Sequence, residues 1–187
     1  PDCQVERFWQ EIKGQYEHQE FIDKSDITWG GIGLIRYSGK KRKAGISPEH
    51  SGLLLQLGGQ ALQRGFVRLD HDLEKFPWPV EDNSVHICIA PHVVEHIKPW
   101  LIYQFFDELW RIVKPNGQAA LATPYAGSAA WWADPSHCTG FNERSFTYLD
   151  PEQEAYKTHR PKPWRIEKGN PTWKNNGVLE CVLIPRK

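Results

Sequence analysis

Between residues 84 and 124 the apolar positions change period twice. Val85 to Ala90 (VHICIA) is a short apolar run behind the turn residues Glu81-Asp82-Asn83-Ser84, a pattern that predicts a buried strand. After a turn loaded with ionisable groups, Leu101 or Ile102, Phe105, Leu109 and Ile112 recur at three- and four-residue spacing. Asp107, Glu108 and Arg111 fall on the opposite side, so the segment predicts an amphipathic helix. Lys114 suits the negative end of its dipole, Pro115 stops it, and Gly117 frees the turn into a second strand over 118–123. Upstream, Leu53 to Leu57 closed by Gly58-Gly59 predicts another buried parallel strand, and Gly65 to Asp70 a strand ending on a carboxylate. Pro77 and Pro79 make 72–79 a loop. Residues 164–168 and 178–184 predict a C-terminal antiparallel hairpin with a solvated Pro-Arg-Lys tail. Val5, Phe8, Trp9, Ile12 and Tyr16 lie near helical spacing and predict a helix within 5–22, weakened by Gly14. The sum is α/β: an open, doubly wound, mainly parallel sheet over 51–187, preceded by an arm or lid over 1–50. In such sheets ligands bind at the carboxyl ends of the strands.

Composition narrows the function classes. In 187 residues, 23 lysines and arginines balance 23 aspartates and glutamates, which argues against a general nucleic-acid binder while leaving local contacts open. No apolar run approaches the roughly 20 residues of a membrane span. The start, PDCQVERFWQEIKG, holds no apolar signal region, which predicts no secretory route. Cys3, Cys88, Cys138 and Cys181 lack CxxC spacing and read as reduced thiols of a cytoplasmic protein. The basic run at 39–45 reads as a solvated loop, with phosphate holding or a nuclear address as alternatives. The Gly-rich piece at 28–33 lacks the GK[ST] ending of a phosphate loop.

His92-Val93-Val94-Glu95-His96 matches the H-x-x-E-H signature of inverted zinc hydrolases. On a helix, histidines four apart would share a face and grip Zn²⁺, with the glutamate as base. His92, however, follows Pro91 at a strand end, which places it on a turn, and the reading favoured here includes no metal ligand.

The order of several pieces carries more weight than any one of them. Leu55-Gln56-Leu57-Gly58-Gly59 is followed by Gly65-Phe66-Val67-Arg68-Leu69-Asp70, then by His71-Asp72-Leu73-Glu74 and the Phe-Pro-Trp-Pro loop. Next come Asp82-Asn83-Ser84-Val85, His92 to Ile97, and Asp107-Glu108-Leu109-Trp110-Arg111-Ile112-Val113-Lys114-Pro115-Asn116-Gly117. In this order the chain resembles the class I S-adenosylmethionine-dependent methyltransferases, and in particular small methyltransferase-like proteins of phages and environmental bacteria. The resemblance spans roughly residues 53–151, and more weakly 161–167. It implies a Rossmann-like fold, S-adenosylmethionine as cofactor, and methyl transfer to an acceptor that the sequence does not identify. A fold relative that binds the cofactor without catalysis, or has another use altogether, is the main alternative.

Residue by residue, the resemblance implies that Leu57, Gly58 and Gly59 lie against the cofactor. Asp70 would take the ribose hydroxyls, Asp72 and Leu73 would border the adenine, and His92 would face the sulfonium. Asp134-Pro135-Ser136-His137 resembles the family's Asp-Pro-Thr-His segment. It implies an acceptor site with Asp134 and with His137 or His92 as base, lined by Tyr125, Trp131 and Trp132. Packing of the core or of a lid is the alternative use of these tryptophans. The chain departs from the pattern in three ways: Gly58-Gly59-Gln60-Ala61 replaces Gly-x-Gly, Gln56 stands where an acid is usual, and Asp70 and Asp72 are almost adjacent. Asp134, Ser136 and His137 do not read as a serine triad, since they are neighbours on one loop and no G-x-S-x-G elbow exists.

Overall fold

The computed structural model describes residues 17–20, 33–36, 52–59, 61–167, 169–173 and 177–187. β1 (Glu17–Glu20) and β2 (Gly33–Arg36) form a two-stranded antiparallel sheet of their own. The helix expected over 5–22 is therefore not formed at 17–20. Its remainder, like the basic run at 39–45, lies outside the described residues.

A seven-stranded sheet follows, built from β3 (Leu53–Gln56), β4 (Val67–Arg68), β5 (Val85–Pro91), β6 (Val113–Pro124), β7 (Trp164–Ile166), β8 (Thr172–Trp173) and β9 (Val178–Pro185). Its order is β4-β3-β5-β6-β9-β7, with β8 also paired to β9. β4, β3, β5 and β6 run parallel, and β9 enters antiparallel between β6 and β7. Apolar runs in β3 and β5 fit strands covered on both faces, and Leu54, Leu55, Val85, Ile87 and Cys88 are all buried. The expected C-terminal pair forms, but not as an appended hairpin. β9 carries five consecutive buried residues from Leu179 to Leu183 and can satisfy them only inside the sheet.

The crossovers are unequal. Between β5 and β6 the expected helix, α1 (Ile102–Ile112), buries Phe105, Phe106, Leu109 and Ile112. Between β3 and β4 only ten residues intervene, with no helix among those described, and β4 is reduced to two paired residues. Between β4 and β5 the Phe-Pro-Trp-Pro loop itself supplies core. Trp78 is 2 % exposed and meets Phe105 edge-on at 5.4 Å.

That loop is fastened by one charged knot. Glu108, predicted on the outer face of α1, is buried because its carboxylate accepts from the Trp78 amide (2.5 Å) and from Arg111 Nε (2.9 Å) and Nη2 (2.6 Å). Arg111 also donates to the carbonyls of Val80 and Trp78 and to Asp82. Burial pushes the Glu108 carboxyl up, yet Arg111 and the Trp78 amide outweigh it and hold it below its usual value.

The end of α1 also differs from expectation. β6 begins directly at Val113, opposite Val85, and the next pair is Ile87 with Gln118, so residues 114–117 bulge out of the ladder. Gly117 is required there because a Cβ would stand 2.7 Å from the His86 carbonyl oxygen.

Candidate active site

The chain turns back at β3: β4 lies on one side of it and β5 on the other. The crevice at the carboxyl ends of β3 and β5 is thus the topological switch point. Leu57, Gly58 and Gly59 follow β3 at this end. Leu57 is fully buried, and its amide donates to the Ile89 carbonyl at 2.9 Å. Gly58 (φ +57°) and Gly59 (φ +74°) both adopt the left-handed conformation. A Cβ on Gly58 would meet Val93 Cγ2 at 2.7 Å, and one on Gly59 would meet Gln56 Nε2 at 2.9 Å.

Gln56 explains how so short a loop holds its shape. Its side chain is completely buried; Nε2 donates to the carbonyls of Gly58 (3.0 Å) and Ala61 (2.8 Å), and Oε1 accepts from the Gln63 amide (2.8 Å). An ionised acid at this position could satisfy only the last of these. The departure from the family pattern is therefore tied to the short crossover, a link the letters alone did not reveal.

Beyond β4, Asp70 is exposed, and its carboxylate makes no hydrogen bond or ion pair among the described residues. Asp72 is engaged locally: Oδ1 accepts from the Glu74 amide (3.1 Å) and Oδ2 pairs with Lys75 (3.3 Å). The Glu74 amide and Lys75 together pull the Asp72 carboxyl below its usual value. Leu73 is half-buried, and its carbonyl accepts from Trp78 Nε1 at 3.2 Å. Glu74 bridges to the turn after β5 by accepting from both the amide and the ammonium of Lys98.

The turn after β5 is strained at His92, a non-glycine residue at φ +51° whose amide donates to the Ala122 carbonyl (2.8 Å). Its Nδ1 stands 3.1 Å from Oε1 of Glu95, which is completely buried. Residues Val94–His96 form a single 3-10 turn. The H-x-x-E-H stretch therefore is not on an α-helix, and the shared helical face that the zinc-hydrolase signature needs is not formed.

This turn is laced to the Asp-Pro-Ser-His loop. The amides of Cys138 (2.9 Å) and Thr139 (3.1 Å) donate to the Glu95 carbonyl, and the Thr139 hydroxyl to that of Ile97 (2.5 Å). Asp134 Oδ1 accepts from the amide (2.8 Å) and hydroxyl (2.6 Å) of Ser136, and these bonds hold its carboxyl below the usual range. Ser136 Oγ also lies 3.1 Å from His96 Nδ1. His137 Nδ1 lies 2.8 Å from the Trp131 carbonyl, and its ring meets those of Trp131 (5.2 Å) and His96 (4.8 Å).

The fold brings His92, Asp134, His137 and Trp131 to one side of the crevice. Trp132 stands 76 % exposed nearby in sequence. Tyr125 is engaged locally: its hydroxyl donates to Glu143 (3.1 Å), which pushes the phenol up, and its ring packs on Trp173 at 5.8 Å. The sequence reading met Gln56 only as a departure from the pattern, His96 only in the zinc-hydrolase alternative, and Ser136 only in the rejected triad. Asp-Pro-Ser signals an aspartate-capped turn, which would have found Ser136; nothing local marks Gln56.

Comparison with known proteins bears on what this crevice holds. Residues 46–121 match the family described as Methyltransferase domain. The match runs from ahead of β3 into β6 and takes in less than half of the chain. No curated protein sequence matches it. Among solved structures it is similar to the complex of the Haloferax volcanii Trm112 methyltransferase activator and a methyltransferase (13 % identity, 73 % of each chain, TM-score 0.49). It is also similar to a SAM-dependent methyltransferase from Archaeoglobus fulgidus (13 %, 65 % of this chain and 68 % of that one, TM-score 0.44). A third is a SAM-dependent methyltransferase from Aquifex aeolicus (15 %, 65 % and 55 %, TM-score 0.45). At these values the likeness is one of outline and carries no argument about function.

The matched segment has a backbone without Cβ atoms at 58–59 and, at Asp70, a carboxylate unengaged among the described residues. These features fit the cofactor. The two glycines are also demanded by Val93, Pro91 and Gln56, so they would be needed in the empty crevice too. No helix among the described residues is long and apolar enough to cross a membrane.

Proposed function

We propose that the chain transfers the methyl group of S-adenosylmethionine to a nucleophile held between the turn at 91–96 and the loop at 125–138. The observation that carries this reading is the pairing of a strained, half-exposed His92 with the completely buried Glu95 at the end of β5. A carboxylate can only accept, so His92 Nδ1 carries the hydrogen and Nε2 the lone pair. Histidine so oriented is suited to take a proton from an acceptor. The bound cofactor supplies an electrophilic methyl on a sulfonium. Asp70 would accept from the ribose hydroxyls, while the backbone at Asp72 and Leu73 borders the adenine, the Asp72 carboxylate being committed to its own turn. Leu57, Gly58 and Gly59 would face the methionine end.

Trp131 and the exposed Trp132 would cover the acceptor and exclude water, with Asp134 and His137 shaping its pocket. Tyr125, held by Glu143, would act at the edge of this surface. Free Cys88, Cys138 and Cys181 support a reducing, cytoplasmic setting, and the order of the motifs supports kinship with small phage and environmental proteins.

The test is calorimetric titration with S-adenosylmethionine and its demethylated product, followed by transfer of labelled methyl to fractionated small molecules, nucleic acid and protein. Asp70→Ala should weaken cofactor binding at least about tenfold, since hydrogen bonds to charged groups contribute about 1.5–3 kcal/mol each. His92→Asn should abolish most transfer and change cofactor affinity far less than Asp70→Ala does. Wild-type affinity in Asp70→Ala would refute the ribose assignment. Full transfer by His92→Asn would remove the proposed base.

A further inference from the structure

Glu95, His96 and His137 converge without being needed together for methyl transfer. A carboxylate oxygen of Glu95 and one ring nitrogen from each histidine lie within 4.8 Å of one another. Glu95 is completely buried, and its Oε2 has no hydrogen-bond partner among the described residues, although Oε1 faces His92. An unpartnered buried carboxylate oxygen is costly, and a bound cation is one of the few things that satisfies it.

The hydrogen bonds around the two histidines set their tautomers. The Trp131 carbonyl can only accept, so the neutral His137 ring carries its hydrogen on Nδ1 and a lone pair on Nε2. Ser136 has one hydroxyl hydrogen, which it gives to Asp134 Oδ1 at 2.6 Å. Its oxygen must therefore accept from His96 Nδ1, which again leaves the lone pair on Nε2. Histidines that ligate metals are held in this way, one nitrogen donating to a carbonyl or hydroxyl while the other faces the ion. Asp134 Oδ2 stands 4.0 Å from His137 Nε2, so a second carboxylate lies beside that histidine.

From this juxtaposition we propose that Glu95, His96 and His137 bind a divalent transition cation of the zinc class. Two imidazoles and a carboxylate are a donor set for such ions rather than for Mg²⁺ or Ca²⁺. Bonds of about 2.0–2.1 Å would draw the three donor atoms to roughly 3.4 Å from one another. His96 is exposed, which leaves its ring room to adjust toward the other two donors. The site differs from the zinc-hydrolase signature in using the second histidine of H-x-x-E-H, its glutamate as ligand, and a histidine from the following loop. The ion would pin the loop at 131–138 to the turn at 94–96 and keep a coordination position open beside the proposed acceptor surface.

The full-length protein, freed of metal by chelator and dialysed, is titrated with Co²⁺ alone and then with Zn²⁺ as competitor. Visible absorption reads the binding and elemental analysis the stoichiometry. One equivalent of Co²⁺ should bind saturably and be displaced by Zn²⁺. His96→Ala and His137→Gln should each weaken binding at least about tenfold, and Ser136→Ala by a smaller factor through the orientation of His96. Cys138→Ser should leave affinity and spectrum unchanged, because the thiol donates to the Ile97 carbonyl at 3.3 Å. His96 lies at the surface, so its variant keeps the test valid if His137→Gln does not fold. Absence of saturable Co²⁺ binding, or wild-type binding by folded His96→Ala, overturns the proposal. The readout needs no cofactor, so its failure would leave the methyl-transfer reading untouched, and failure of the latter would leave the metal site standing.

Discussion

Changing Gln56 to glutamate replaces a single NH2 group by oxygen, yet it should be among the most damaging isosteric substitutions in the domain. The Gln63 amide would keep its acceptor, while the carbonyls of Gly58 and Ala61 would face an oxygen at 3.0 and 2.8 Å instead of a donor. Two lost hydrogen bonds cost about 2 kcal/mol. An ionised carboxylate in a site with no solvent exposure adds desolvation and repulsion, so protonation is the competing route. A neutral acid restores one donor, and holding a glutamate with an ordinary pKa of about 4.3 protonated at pH 7 costs about 4 kcal/mol. With about 1 kcal/mol for the bond still missing, this route sets an upper limit of about 5 kcal/mol at pH 7. At pH 5 the protonation cost falls to about 1 kcal/mol, and the deficit to about 2 kcal/mol.

The sign follows from the raised folded-state pKa of the new acid. Its favourable state is fully present below the unfolded value and is lost as the pH rises through the folded one. Urea unfolding of both proteins at pH 5 and pH 7 measures the two differences, with the wild-type curve cancelling every other titration. A deficit below about 0.5 kcal/mol, equal at both pH values, would refute the idea that Gln56 holds the crossover loop. The same variant should lose cofactor affinity, because the loop it staples carries Gly58 and Gly59.

Arg111→Met should destabilise by about 3 kcal/mol, since it strips the partner from a buried Glu108; Arg111→Lys, unable to fork, should recover less than half of this in thermal unfolding. Because the Glu108 carboxyl is held below its usual value, its contribution is present above the ordinary carboxylate range and lost as the pH falls through the folded value. The acid limb of the wild-type stability profile should therefore be steeper than that of Arg111→Met. With Cys3 replaced by serine, a thiol reagent should modify the exposed Cys138 in the folded protein. Cys88 and Cys181, whose thiols burial pushes up, should react only on unfolding, and their labelling in the native state would contradict the packing of β5 and β9.

Hydrophobic period alone determined the α/β class, the strands at 53–56 and 85–91, and the helix at Ile102–Ile112, because these segments bury their apolar faces wherever the rest of the chain goes. Glycine and proline punctuation located the turns but misjudged one. Lys114 to Gly117 reads as a gap between helix and strand, whereas the ladder continues around it as a bulge, an outcome set by the distance to the His86 carbonyl on another strand. The strand at 17–20 was read as helix because a period over few residues is ambiguous and its pairing partner lies at 33–36.

For the site, the sequence by itself determined which ionisable residues stand at the strand ends, through the order of its motifs. What each of them touches was decided only by tertiary structure. His92 and Glu95 are three apart in sequence, but their pairing depends on a strained turn and a 3-10 segment that no local propensity specifies. His96 and His137 are separated by 40 residues and meet because two backbone amides of one loop find the Glu95 carbonyl of the other. Gln56 was legible as an exception to a pattern. That it replaces an absent helix, by holding two carbonyls and an amide at once, follows from packing that only the folded chain creates.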